Sequence, residues 1–183
     1  MMGDTASTEP AARLFFALVP PPPLQRALGA LATSVAQLAH GRAVAIDNVH
    51  LTLAFIGAWP LAKLSQWMEV GTRCAGAPID ITLNRLGGFS RAGVAWIGTV
   101  RMPIGLQQLA DALAAELASA GAAVDTRAFA AHITLARRCR GPFPSEPVGP
   151  YDWRADSLSL MRSYTERDGP RYVEVERWPL RSG

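Results

Sequence analysis

Two copies of one pentapeptide frame this chain. His50-Leu51-Thr52-Leu53-Ala54 and His132-Ile133-Thr134-Leu135-Ala136 lie 82 residues apart, each inside an apolar run of strand character. In an extended strand, residues i and i+2 point to the same side. Strict alternation therefore puts His50 and Thr52 on one face, with Leu51, Leu53 and Phe55 on the other. It likewise sets His132 and Thr134 opposite Ile133 and Leu135. The leucine sides anchor the strands in a core, and the His/Thr sides are aimed at a common space. A repeated unit that adjoins a helical stretch in each copy predicts a duplicated lobe, with the two copies facing across a cleft. A lone strand histidine is more often structural, and threonine is an ordinary strand former. The weight comes from the doubling: two of only three histidines occupy matching positions.

Two facing imidazoles suit a reaction that needs one acid and one base, because the unperturbed pKa of about 6.5 allows either role near neutral pH. Threonine hydroxyls and nearby arginines can hold anionic oxygens between them. That set matches displacement at a phosphodiester: a base activates water, an acid protonates the leaving oxygen, and donors hold the nonbridging oxygens. No Asp/Glu/His cluster of metal-ligand character accompanies either motif, so no metal and no cofactor is expected. His40 has no partner motif and falls at a helix end, where exposure or the helix dipole accounts for it.

The remaining chain predicts an α+β fold with antiparallel sheets. Strands are expected at 13–19, 49–57, 79–83, 94–100, 131–137, 157–164 and 171–178, with a hairpin turn at 90–93. Helical spacing runs through Leu24, Ala27, Leu28, Leu31, Val35 and Leu38 until Gly41. It recurs through Leu61, Leu64, Trp67 and Met68, and again through Leu106, Leu109, Leu113 and Leu117 until Gly121. Residues 141–150, rich in Pro and Gly, read as a loop, and residues 1–12 as a disordered tail before a single domain, 13–183. The net charge is +3, with 17 Arg and one Lys. Arginine suits phosphate recognition, although an Ala-rich, Arg-rich composition also follows from GC-rich coding. Cys74 and Cys139 are far apart, which argues against a disulfide framework or zinc site. No apolar run is long enough to span a bilayer. A cytoplasmic monomer with no membrane association is the expectation.

The chain resembles the bacterial RNA 2′,3′-cyclic phosphodiesterases, historically called 2′-5′ RNA ligases, of the 2H phosphoesterase superfamily. The likeness runs from Arg13 to Leu180. It rests on Arg13-Leu14-Phe15-Phe16-Ala17, on the block from Asp47 to Gly57, and on His132-Ile133-Thr134-Leu135-Ala136-Arg137. Ser163, Gly169-Pro170-Arg171-Tyr172 and Trp178-Pro179-Leu180 extend it. The resemblance implies a bilobal, LigT-like fold with a pseudo-two-fold axis and the site in the cleft. It implies hydrolysis of RNA 2′,3′-cyclic phosphate ends, or of small nucleotides carrying one, to 2′-phosphomonoesters without metal. By that likeness His50 is the proton donor and His132 the proton acceptor, Thr52, Thr134 and Arg137 bind the phosphate, and Phe16 lies near the cleft, where it can stack on a base or simply be core. Alternation from His132 places Arg137 on the leucine face and Arg138 on the other. Either the strand bulges or ends near Ala136, or Arg138 takes the role. Joining of RNA ends through a 2′-5′ bond, and an RNA-end-binding module without catalysis, are the competing readings.

Overall fold

The computed structural model describes residues 11–167 and 169–182. In chain order these form β1 (Ala11–Leu18), α1 (Pro22–Leu38), β2 (Arg42–Ala43), β3 (Leu51–Pro60), α2 (Leu64–Cys74), β4 (Ile79–Phe89), β5 (Val94–Gly98), α3 (Ile104–Ser119), β6 (His132–Arg137), β7 (Pro147–Ala155), β8 (Ser157–Glu166) and β9 (Gly169–Pro179). The α+β expectation holds, with two differences. Ala11 and Ala12 belong to β1 and not to a tail; residues 1–10 lie outside the described residues. β7 takes up the last four residues of the stretch expected to be loop, 147–150. Its prolines disguise it, but β7 is an edge strand, where one side of the backbone has no ladder bond to donate and proline is tolerated.

All strand pairs are antiparallel, in the order β7-β4-β5-β6-β3-β1-β8-β9, with β2 added to β6. The sheet is two four-stranded halves meeting at its middle. Reading outward, β3-β1-β8-β9 mirrors β6-β5-β4-β7, and the unit β1-α1-β3 repeats as β5-α3-β6. The connecting helices cross over, so α1 packs on β6 and α3 on β3. Each half's core is thus closed by the other half's helix. Leu28, Ala32 and Val35 from α1, Leu106, Leu113 and Leu117 from α3, and Leu51 and Ile133 from the central strands are buried together.

The duplication extends to helix ends. After α1 and after α3 the chain turns through a left-handed residue, His40 (φ 48°) and Gly121 (φ 88°). The bonds Gly41 N–H to Ala36 C=O (2.8 Å) and Ala122 N–H to Leu117 C=O (2.9 Å) close the same terminating motif. His40 is thereby explained as a helix stop, the counterpart of Gly121. No helix among the described residues is long and apolar enough to cross a membrane.

Candidate active site

The two halves meet at a single ladder position, Leu51 opposite Ile133. Continuing that antiparallel register by one step sets His50 across from Thr134 and His132 across from Thr52. The histidines are then diagonal neighbours, which in a regular ladder stand roughly 7–8 Å apart. Both are half-buried. Each is held alike: the ring nitrogen Nδ1 lies 2.7 Å from a backbone carbonyl two residues earlier, Asn48 for His50 and Ala130 for His132. A carbonyl can only accept, so Nδ1 carries the proton in both rings, and Nε2 is the nitrogen left for chemistry. In the His50 half, Nε2 is 3.0 Å from Thr52 Oγ1. With Nδ1 already a donor, the neutral ring accepts there and the threonine hydroxyl donates.

Strict alternation fails at the next residues, identically in both halves. Between Phe16↔Ala54 and Ala17↔Thr52, β3 has one extra residue, Leu53; between Ala95↔Ala136 and Trp96↔Thr134, β6 has Leu135. These matched bulges shift the following positions by one, so the fifth residue after each histidine returns to the His/Thr face. In β6 that residue is Arg137, which lines the cleft; in β3 it is Phe55, 63% exposed and not on the leucine face that alternation assigned. A bulge, the first of the two alternatives the sequence left open, thus turns Arg137 into the cleft. Arg138 also lines the cleft, from a left-handed backbone (φ 57°) that ends the strand. Phe16 points the other way: it is 0% exposed, in the main core against Trp178. Its neighbour Phe15 faces the site, 5.0 Å from the His50 ring and 6.0 Å from Phe55 between ring centres.

The cleft has two arms. The larger, about 720 Å³, is lined by His50, Thr134, Arg137 and Tyr172 and extends past β2. The smaller, about 230 Å³, is lined by Thr52, Phe15, Phe55 and Ser163. His50, Arg137 and Tyr172 border both arms.

Comparison with known proteins decides the family. The chain is 34% identical over 142 residues to an RNA 2′,3′-cyclic phosphodiesterase of Escherichia coli (strain K12), covering 76% of this chain and 80% of that protein. It is 32% identical over 181 residues to one of Thermus thermophilus, covering 92% and 90%. It belongs to the LigT-like phosphoesterases. The LigT like Phosphoesterase family profile matches residues 18–96. A crystal structure of E. coli LigT complexed with 3′-AMP superposes with a TM-score of 0.86 at 31% identity, covering 93% of this chain and 99% of that one.

In this LigT-like chain the two histidines differ in surroundings. Burial pushes the His50 ring down from 6.5 to about 4; the bond to the Asn48 carbonyl opposes this, while the charges of Arg137 and His132 add to it. Burial also lowers His132, partly offset by the Ala130 carbonyl and reinforced by Arg137. Aromatic rings brace both. Tyr172 meets His50 edge-on at 4.9 Å, and Phe89 meets His132 edge-on at 5.1 Å with Trp96 at 6.2 Å. Trp96 packs closely against Gly87, where a Cβ would collide with its ring. Among the described residues, no group of three or more His, Cys, Asp or Glu side chains converges as a metal site.

Sequence reasoning missed Phe55, Phe15, Tyr172 and Asn48 as parts of this site. Asn48 ties the β8–β9 hairpin to the first motif: its Nδ2 donates to Pro170 C=O at 2.6 Å and its Oδ1 accepts from Tyr172 N–H at 3.3 Å. That brings Tyr172 onto His50 across a sequence separation of over a hundred residues, which no local pattern reports. The only available signal was that Asn48 and Gly169-Pro170-Arg171-Tyr172 both fell within the family likeness.

Proposed function

We propose that this LigT-like phosphoesterase opens a 2′,3′-cyclic phosphate at the end of RNA, or on a small nucleotide, with His50 as general acid and His132 as general base. The observation that carries this reading is the matched pair of Nδ1-to-carbonyl bonds. Each fixes one tautomer and leaves Nε2 without a backbone partner, and the Leu51–Ile133 register makes the two rings diagonal neighbours that a single phosphate can bridge. His132 Nε2 takes a proton from water as the water oxygen bonds to phosphorus. The bond from phosphorus to O3′ breaks, and His50 Nε2–H gives its proton to the departing O3′. The product is a 2′-phosphomonoester with a free 3′-hydroxyl. Arg137 and the Thr52 and Thr134 hydroxyls donate to the nonbridging oxygens, where charge grows in the transition state.

His50 begins neutral at pH 7, since its pKa is held to about 4 in the free protein. The acid form needs a partner, and the substrate supplies it: a phosphate anion beside the imidazolium favours the charged ring and counteracts Arg137. Thr52, which donates to Nε2 in the free state, turns its hydroxyl to the phosphate once that nitrogen carries a proton. Phe55, exposed beside Phe15, offers a ring for the base to stack on. A monomer in a reducing, cytoplasmic setting fits the free thiols of Cys74 and Cys139.

The test is product identity. Adenosine 2′,3′-cyclic phosphate or a short RNA bearing that end is incubated with the protein in EDTA, and the products are separated. The 2′-phosphate is expected. A 3′-phosphate would contradict the leaving group assigned to His50, and activity lost to EDTA would contradict histidine-only chemistry.

A further inference from the structure

The larger arm of the cleft contains more cationic surface than the reaction at one phosphate uses. Beyond His50, Thr134 and Arg137, its wall includes Arg42, Arg138 and Arg171 against two carboxylates, Asp47 and Glu166. Arg171 is committed to Glu166, its Nε 2.6 Å from Oε1. Arg42 and Arg138 have no carboxylate within salt-bridge distance among the described residues.

Two features of these arginines run against stability. Arg42 on β2 lies directly opposite Arg137 on β6, a like-charge cross-strand pair of the kind that destabilises a ladder. Arg138 adopts φ 57°, a conformation that costs a side-chain-bearing residue and that glycine would adopt freely. In a regular strand Arg137 and Arg138 would point to opposite faces; the left-handed turn lets both line one arm. Uncompensated like charge and a strained backbone beside a reaction centre are what an anionic ligand would relieve.

Size points the same way. The 230 Å³ arm with Phe15 and Phe55 suits the nucleoside that carries the cyclic phosphate. The 720 Å³ arm has room for whatever is attached to that nucleoside. We propose that Arg42 and Arg138 form a second phosphate subsite, which holds the phosphate on the 5′ side of the nucleoside bearing the cyclic ring. This rests on the cyclic-phosphodiesterase reading and adds a substrate preference to it. The same chemistry has two sources, an internucleotide phosphodiester in an RNA strand or a terminal 5′-phosphomonoester.

Three substrates separate them: adenosine 2′,3′-cyclic phosphate, its 5′-phosphorylated form, and the dinucleotide ApA with a 2′,3′-cyclic end. The readout is the ratio of kcat/KM for each phosphorylated substrate to that for the plain nucleoside. A ratio of about ten is expected for the wild type, set by KM and shrinking as salt screens the contact. A gain shared by both substrates assigns any 5′ phosphate, and a gain confined to one assigns that source. Arg42→Ala and Arg138→Gly should each bring the ratio toward unity. Arg138→Gly should do so with an unchanged or raised Tm, because it also removes the backbone cost, so lost folding cannot mimic the result. A wild-type ratio near one, or a ratio untouched in both variants, overturns the subsite. Equilibrium binding of adenosine 3′,5′-bisphosphate against 3′-AMP gives the same comparison without turnover. If the wild type cleaves none of the substrates, the phosphodiesterase reading falls, and that binding ratio alone decides for or against the subsite.

Discussion

The His50 and His132 halves share a backbone plan and differ in what surrounds it. Both have the ring pinned through Nδ1, a threonine two residues on, and a bulge at the third residue. The fifth residue differs: Phe55 in one half, Arg137 in the other. The His50 half is also closed over by Tyr172, held through Asn48, and its Nε2 is engaged by Thr52. Duplication thus supplied two imidazoles held in the same way, on neighbouring strands that meet at Leu51 and Ile133. Divergence at a single register position placed an exposed aromatic ring on one side and a positive charge on the other. The two copies teach that equivalent histidines acquire unlike surroundings from the residues packed on them, since nothing in either His-x-Thr segment distinguishes one ring from the other.

The comparison breaks most readily at the histidines themselves. His50→Ala and His132→Ala should each lower kcat by ~10²–10⁴, and the double variant should lose little more than the worse single one, because the two act in one step. Steady-state rates on adenosine 2′,3′-cyclic phosphate, with circular dichroism to verify folding, check this. Near-normal turnover in either variant would remove that residue from the chemistry.

A smaller pair of effects sharpens the difference between the fifth positions. Arg137→Ala should act mainly on kcat, by ~10²–10³, as expected for loss of a donor aimed at transition-state charge. Phe55→Ala should act mainly on KM, by about 1–3 kcal/mol of stacking. If the two substitutions changed the same kinetic constant to the same extent, the matched bulges would not have separated charge from stacking.

The smallest effect is read by NMR titration of the two rings. In the free protein His50 should titrate near 4. Saturating inorganic phosphate should raise it, because an adjacent anion stabilises the imidazolium. The same lowered value carries a stability consequence. The unfolded ring takes up its proton near 6.5 and the folded one only near 4, so the neutral ring's contribution is intact above pH 6.5 and is lost as pH falls towards 4. A His50 signal that titrates near 6.5 in the free protein would show that burial does not hold this ring neutral.

The sequence by itself determined the strands that carry the two motifs, the helices on either side, the antiparallel α+β class and the duplication of the motif. Each is written in local periodicity: alternation for strands, a 3.6-residue stripe for helices, and repetition for the duplication. It also named the threonines that share the histidines' face, because two residues of regular strand suffice to predict that His50 and Thr52 lie on one side. Beyond that distance alternation stopped being reliable. The bulges at Leu53 and Leu135 arise from the pairing of β3 with β1 and of β6 with β5, and the partner strand, not the residue, decides where the extra position falls. Only tertiary structure therefore turned Phe55 and Arg137 toward the cleft, chose Phe15 over Phe16, made residues 147–150 the start of an edge strand, and brought Tyr172 to His50 through Asn48. A ladder hydrogen bond is a property of two chain segments at once, and neither segment alone encodes its register.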